Sequence, residues 1–140
     1  MKETIAKLKK EGKNIIYLVI KQKYFDAIMQ GRKVQETREV RPQYSRRFLQ
    51  HDEEGYIIED EHRNAIPVHY DYIHFAAGYN KDRDEALVEV KDEYSVTLVH
   101  ESTGEPIVIE YKGCEFWATE VVYNLGQIVE TKINVRSRKK

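Results

Sequence analysis

At 140 residues the chain has the length of one ordinary domain, enough to bury a hydrophobic core. A single cysteine, Cys114, excludes an intrachain disulfide, so packing and hydrogen bonds must hold the fold, as suits a reducing compartment. No apolar segment approaches the ~20 residues of a membrane span, and MKETIAKLKKEGK at the start lacks the apolar centre of a signal peptide. A cytoplasmic protein without membrane contact is therefore expected.

In chain order, Lys2 to Glu11 has the pattern of a short helix, with Ile5 and Leu8 inward, lysines outward and Gly12 as its stop. Ile15 to Ile20 is a continuous β-branched apolar run flanked by charge, the signature of a buried strand. A helix should follow, because Tyr24, Phe25, Ile28 and Met29 recur at three- and four-residue spacing. Gly31 stands where such a helix ends, since glycine takes the left-handed conformation without a Cβ clash. A second strand then places Val34, Glu36 and Arg38 on one face and Gln35, Thr37 and Glu39 on the other, so a glutamate and an arginine project side by side.

Between Pro42 and Pro67 both periodicities are weak. QYSRRFLQ suits one helical turn, and the acidic HDEEGYIIEDEHRNAIP carries turn residues at Gly55 and Asn64, so residues 43–67 are expected to be an insertion. From Val68 the strand pattern returns, with Val68, Tyr70 and Tyr72 on one face and Ile73 and Phe75 continuing it. The polar GYNKDRDE presents Tyr79 and Asn80 at the strand's end, where a ring and an amide can stack on and hydrogen-bond a base or simply close a rim. Ala86 to Val99 alternates for one bent strand or two, ESTGE is a hairpin turn, and Pro106 to Lys112 sets Ile107, Ile109 and Tyr111 on one face. After a turn at Gly113, Phe116 to Val122 forms a further strand, which Gly126 is expected to separate from Gln127 to Ile133; NVRSRKK from Asn134 is a basic tail. Short strands divided by turns predict a single α+β domain over residues 1–140, a largely antiparallel sheet closed into a small barrel with short helices at its ends.

Gly31, Lys33, Glu36 and Arg38 form the pattern G-x-K-x-x-E-x-R, which resembles the motif following a strand and a helix in the ASCH domain of the PUA-like superfamily. HFAAGYN with ALVEVKDEY looks like that domain's later strands and CEFWATEVVYNLGQIVE like its closing region, so the resemblance runs from Ile15 to Ile133. It implies a PUA-like β-barrel that binds RNA or a nucleotide-like ligand in a cleft beside GRKVQETR. Joined to the residue chemistry, it puts Lys33, Arg38 and Arg41 toward phosphate, Glu36 toward the cations or a base amine, and Tyr79 and Asn80 near the cleft.

Some ASCH-type proteins are amidohydrolases on acetylated cytidine, with a site that joins the motif lysine to a threonine three positions later and a separate glutamate. Here the lysine is Lys33, the threonine position holds Glu36, and the segment after Ala86 to Val90 continues as strand with no helical insert. A carboxylate does not replace a hydroxyl nucleophile without a different mechanism. A hydrolase on a modified nucleoside or RNA, with Lys33 and Glu36 as its catalytic residues, is the alternative to a binding module. A partner-binding module using the acidic Asp52 to Glu61 loop is a third.

No P-loop, dinucleotide fingerprint, G-x-S-x-G or H-E-x-x-H occurs, so no cofactor is implied. His51 and His62 lie among acids at spacings that match no zinc pattern, and no metal is expected. Cys114 and Trp117 have the setting of core residues. The charge is segregated: residues 1–50 hold 13 lysines and arginines against 5 acids, and residues 51–133 hold 6 against 19. The first third can therefore meet a polyanion although the formal net charge is only -1, unless folding mixes the two blocks.

Overall fold

The computed structural model describes residues 1–134, so the basic tail beyond Asn134 lies outside the described residues. Its elements are α1 (Lys2–Lys10), β1 (Ile15–Ile20), α2 (Gln22–Met29), β2 (Gln35–Val40), a 3-10 turn (Pro42–Tyr44), α3 (Ser45–Phe48), β3 (Tyr72–Ala77), β4 (Glu85–Thr97), β5 (Val108–Tyr111), β6 (Cys114–Trp117) and β7 (Thr119–Lys132). The fold is α+β with mostly antiparallel strands. Five strands hydrogen-bond in the order β1-β3-β4-β7-β2, and β5 pairs with β6. No helix among the described residues is long and apolar enough to cross a membrane. The chain divides into two compact units: Met1–Gln35, His69–Asp92 and the chain from Asn124 form the first, and Glu36–Val68 with Glu93–Tyr123 the second.

In the first unit β1 runs parallel to β3, in register Ile16↔Ile73 and Leu18↔Phe75, and β3 runs antiparallel to β4. Ile16, Leu18, Ile73, Phe75 and Leu87 are buried with Phe25 and Ile28 of α2. The apolar run expected to be a buried strand is fully buried on one face only: Ile16, Leu18 and Ile20 are buried, and Ile15, Tyr17 and Val19 are not. On its exposed face Tyr17 meets His74 edge-on, centroids 4.9 Å apart. α1 buries no residue completely and is held by its end: the Met1 amino group lies 2.6 Å from Glu130, which also accepts the Thr4 hydroxyl.

Two expectations need correction here. Val68 to Tyr70 is not strand: Asn14 diverts the chain, accepting Asp71 N–H on its carbonyl at 2.8 Å and donating its own N–H to Asp71 Oδ2 at 2.9 Å, and the ladder starts at Tyr72. Gly126 separates nothing, and β7 passes through it unbroken. Its glycine answers a close approach, since a Cβ there would sit 2.6 Å from Glu89 Oε1 and 3.2 Å from Lys91 Cγ.

In the second unit Val40, Phe48, Leu49, Val121 and Tyr123 form the buried centre. Residues 49–67, expected as an insertion, are a hydrogen-bonded series of turns with antiparallel bridges Leu49↔Pro67, His51↔Ile57 and Glu59↔Ala65. The Asp52 and Asp60 carboxylates each accept two backbone N–H groups at 2.9 Å, which fixes both turns from within. β5 and β6 form a hairpin whose corner, Lys112 and Gly113, has φ of 51° and 78°, the two left-handed residues that a tight right-twisted hairpin requires.

Candidate ligand-binding surfaces

The six residues singled out by sequence fall in both units. Lys33, Tyr79 and Asn80 belong to the first, and Glu36, Arg38 and Arg41 to the second.

In the first unit α2 stops at Met29 and Gly31 takes φ 74°, as its position predicts. The Arg32 and Lys33 N–H groups then both donate to Ala27 O, at 2.9 and 3.1 Å, which fixes where Lys33 leaves the turn. Its ammonium sits 5.6 Å from the Tyr24 ring centroid, and that of Lys23 sits 5.0 Å from the same ring. Tyr24 is 43% exposed, and both ammonium groups lie over its ring, the geometry of a cation–π contact. Gly31, Lys33 and Val34 line a concavity of about 390 Å³ with Ile28, Leu125 and Ile128. The motif's first half thus borders an apolar recess with one cation. Tyr79 is 88% exposed, at the tip of the turn that leaves β3.

In the second unit the alternation of β2 buries Glu36 and Val40 and half-buries Arg38 between them. Arg38 Nε donates to Glu36 Oε2 at 2.8 Å, so the side-by-side pair expected from the sequence is a formed ion pair. Glu36 is buried and already holds a cation, which favours an internal role for its carboxylate. Arg41 is exposed at the start of the 3-10 turn. The helical turn after it places Tyr44, Arg46, Arg47 and Tyr111 around a concavity of about 350 Å³, with Tyr44 60% exposed. Sequence reasoning passed over this group. Its signal was an Arg-Arg pair two residues after a tyrosine, within the basic first third.

Trp117 and Cys114, expected in the core, are both exposed, because the two-stranded β5-β6 sheet is too small to cover them. Trp117 is 42% exposed and lines a concavity of about 310 Å³ with Ile57, Glu59, Arg63 and Phe116.

His51 has both ring nitrogens engaged, Nδ1 2.8 Å from Leu49 O and Nε2 3.2 Å from Ser45 Oγ, and His62 is exposed beside Glu61 at 3.6 Å. Among the described residues no group of three or more His, Cys, Asp or Glu side chains converges as a metal site. β4 continues from Glu85 to Thr97 with no helix inserted, so the position from which the amidohydrolase glutamate would come is strand. The carboxyls of Asp71 and Glu130 are both held below their ordinary values. Asp71 is lowered by the Asn14 N–H, against opposing desolvation and with help from His69; Glu130 is lowered by the N-terminal ammonium and then by Thr4. Comparison with protein-family models, with curated proteins and with solved structures gives no match.

Proposed function

We propose that this chain is a cytoplasmic ASCH-like domain, a small barrel of PUA-like type, that binds single-stranded RNA or a nucleotide-like ligand. The observation that carries the reading is Tyr24: an exposed ring flanked by Lys23 and Lys33, where the G-x-K part of the motif borders a recess. A base that stacks on this ring, without regard to its identity, takes the place of a flexible lysine head over it, and the displaced cation neutralises an adjoining phosphate. The basic first third of the sequence supports the same ligand class. The Glu36–Arg38 pair orients the motif strand from within.

The test is anisotropy of a labelled single-stranded RNA across a salt series. Affinity should fall linearly in log K against log salt, because each phosphate contact releases a condensed counterion. Tyr24→Ala should weaken binding by about 5- to 150-fold, the range for loss of one stacked base. Lys23→Glu and Lys33→Glu should weaken it and flatten the salt slope, whereas Lys7→Glu with Lys10→Glu on α1 should leave both nearly unchanged. Salt-independent affinity, or equal losses from the α1 pair and the Lys23 and Lys33 changes, would refute the reading.

A further inference from the structure

The turn from β3 to β4 and the end of β7, all within the first unit, line a second concavity of about 280 Å³. Lys81, Arg83 and Lys132 contribute three cations to its wall, against the single carboxylate of Asp82. The wall is fixed from behind: Asp84 is completely buried and accepts Gln22 Nε2 at 3.0 Å and the Asn134 N–H at 2.7 Å. Arg83 and Asn134 are thereby held in place by a carboxylate that faces away from solvent.

Arg83 is poorly satisfied where it stands. Its backbone N–H and its Nη1 both donate to the one carbonyl of Asn80, each at a long 3.2 Å, and its Nε is buried without any partner. Folded proteins seldom leave a buried donor unmatched, so such a group asks for an acceptor. An acceptor brought to the guanidinium would give Nε a partner at the expense, at most, of the long Nη1 bond to Asn80. Lys132 lies 3.9 Å from Glu85, beyond hydrogen-bond reach, and is mostly exposed. Tyr79, two residues before Lys81 in the same turn, has the most exposed ring among the large hydrophobic residues described.

We propose that this concavity binds the terminal phosphate of a nucleotide, with Arg83 and the two lysines as its donors and Tyr79 as the stacking surface for the base. Three cations around one recess suit a phosphate, whose several oxygens accept from several donors at once, better than a neutral ligand. An aromatic ring beside them selects a phosphate that carries a base. The ligand class rests on the reading given under Proposed function; the placement of the site does not.

The experiment is a chemical-shift titration of the full chain with inorganic phosphate, adenosine monophosphate and adenosine. Inorganic phosphate and the nucleotide should both move the Arg83 Nε–H and the amides of Lys81 and Asn134, and adenosine should not saturate. The nucleotide should saturate at a concentration lower by about fivefold or more, the gain from one stacked base. Tyr79→Ala should remove that advantage and leave the phosphate titration unchanged. Lys81→Glu with Lys132→Glu should abolish both titrations, and Asp82→Asn should tighten both. Shifts confined to other residues, or titrations indifferent to these charge changes, would overturn the site. If RNA binds as proposed above while this wall stays silent, the site alone falls; if the nucleotide titrates here and RNA does not bind, the RNA reading alone falls.

Discussion

Glu36→Gln isolates the one ion pair that the motif forms. The substitution keeps the shape and an acceptor for Arg38 Nε but removes the charge from a buried side chain. A hydrogen bond to a charged group contributes about 1.5–3 kcal/mol, and breaking a fully buried pair costs about 3–5 kcal/mol because the remaining charge is stranded. Arg38 is 28% exposed, so its guanidinium still reaches water once Glu36 is neutral, which pulls the expectation to about 2–3 kcal/mol. For a chain of this size that corresponds to a fall of about 7–10 °C in Tm. Urea unfolding of Glu36→Gln, Arg38→Gln and the double variant closes a cycle in which the double change should cost clearly less than the two single costs added together. Strict additivity, or single changes within about 0.5 kcal/mol of the parent, would refute an energetically coupled pair. RNA affinity measured on the folded Glu36→Gln variant then distinguishes the roles. A large loss of affinity at unchanged stability would transfer Glu36 from the internal pair to the ligand.

Gly126→Ala should destabilise by about 1 kcal/mol, the low end of overpacking, because the Glu89 carboxylate can swing aside while Lys91 Cγ and Glu89 Cβ, at 3.2 and 3.3 Å, must give by a few tenths of an ångström. The same change made beside Glu89→Ala should cost markedly less, and a neutral Gly126→Ala in the parent would show that the strands give way without strain. The lowered pKa of Asp71 makes a pH-dependent contribution with a definite sign. A carboxyl depressed by folding stabilises above its unfolded value, about 3.9, and that stability is lost as pH falls through the folded value. The stability difference between the parent and Asp71→Asn should therefore be present at about pH 5 and shrink on acidification below about pH 4, read from urea midpoints. A difference that grows on acidification below about pH 4 would contradict the arrangement around Asn14.

The helix-stop glycine and the strand after it were legible because each rests on a local rule. Gly31 needed only its own left-handed conformation, and Glu36 beside Arg38 needed only the two-residue alternation of a strand. What the sequence concealed depends on partners far along the chain. Gly126 looks like a turn until Glu89 and Lys91 are placed against it. Trp117 and Cys114 look like core until the β5-β6 sheet proves to have no third strand to cover them. Val68 to Tyr70 has strand spacing, yet the Asn14–Asp71 exchange consumes the backbone groups that would begin the ladder. The site was legible in the same proportion. Lys33 and its turn follow from the motif, and the Tyr44–Arg47 group had a local signal in its Arg-Arg pair, whereas the placing of Lys33 over Tyr24 and the Arg83 wall are assembled by folding, and no spacing in the sequence announces them.

The division of the chain also bears on how it is made. The first unit draws on three stretches and the second on two, and every residue of the second lies between the first and last stretches of the first. During synthesis the second unit has its full complement once Tyr123 has emerged. The first, whose opening residues appear earliest, still waits for β7 beyond that point, and for Asn134 to reach the buried carboxylate of Asp84. β1 and α2 therefore stay uncovered until β3 and β4 are made, and their unit stays incomplete until β7 follows, an interval in which a nascent chain is exposed to misassociation. A protein shortened before Asn124 loses the end of its first-made unit while keeping the whole sequence of its second.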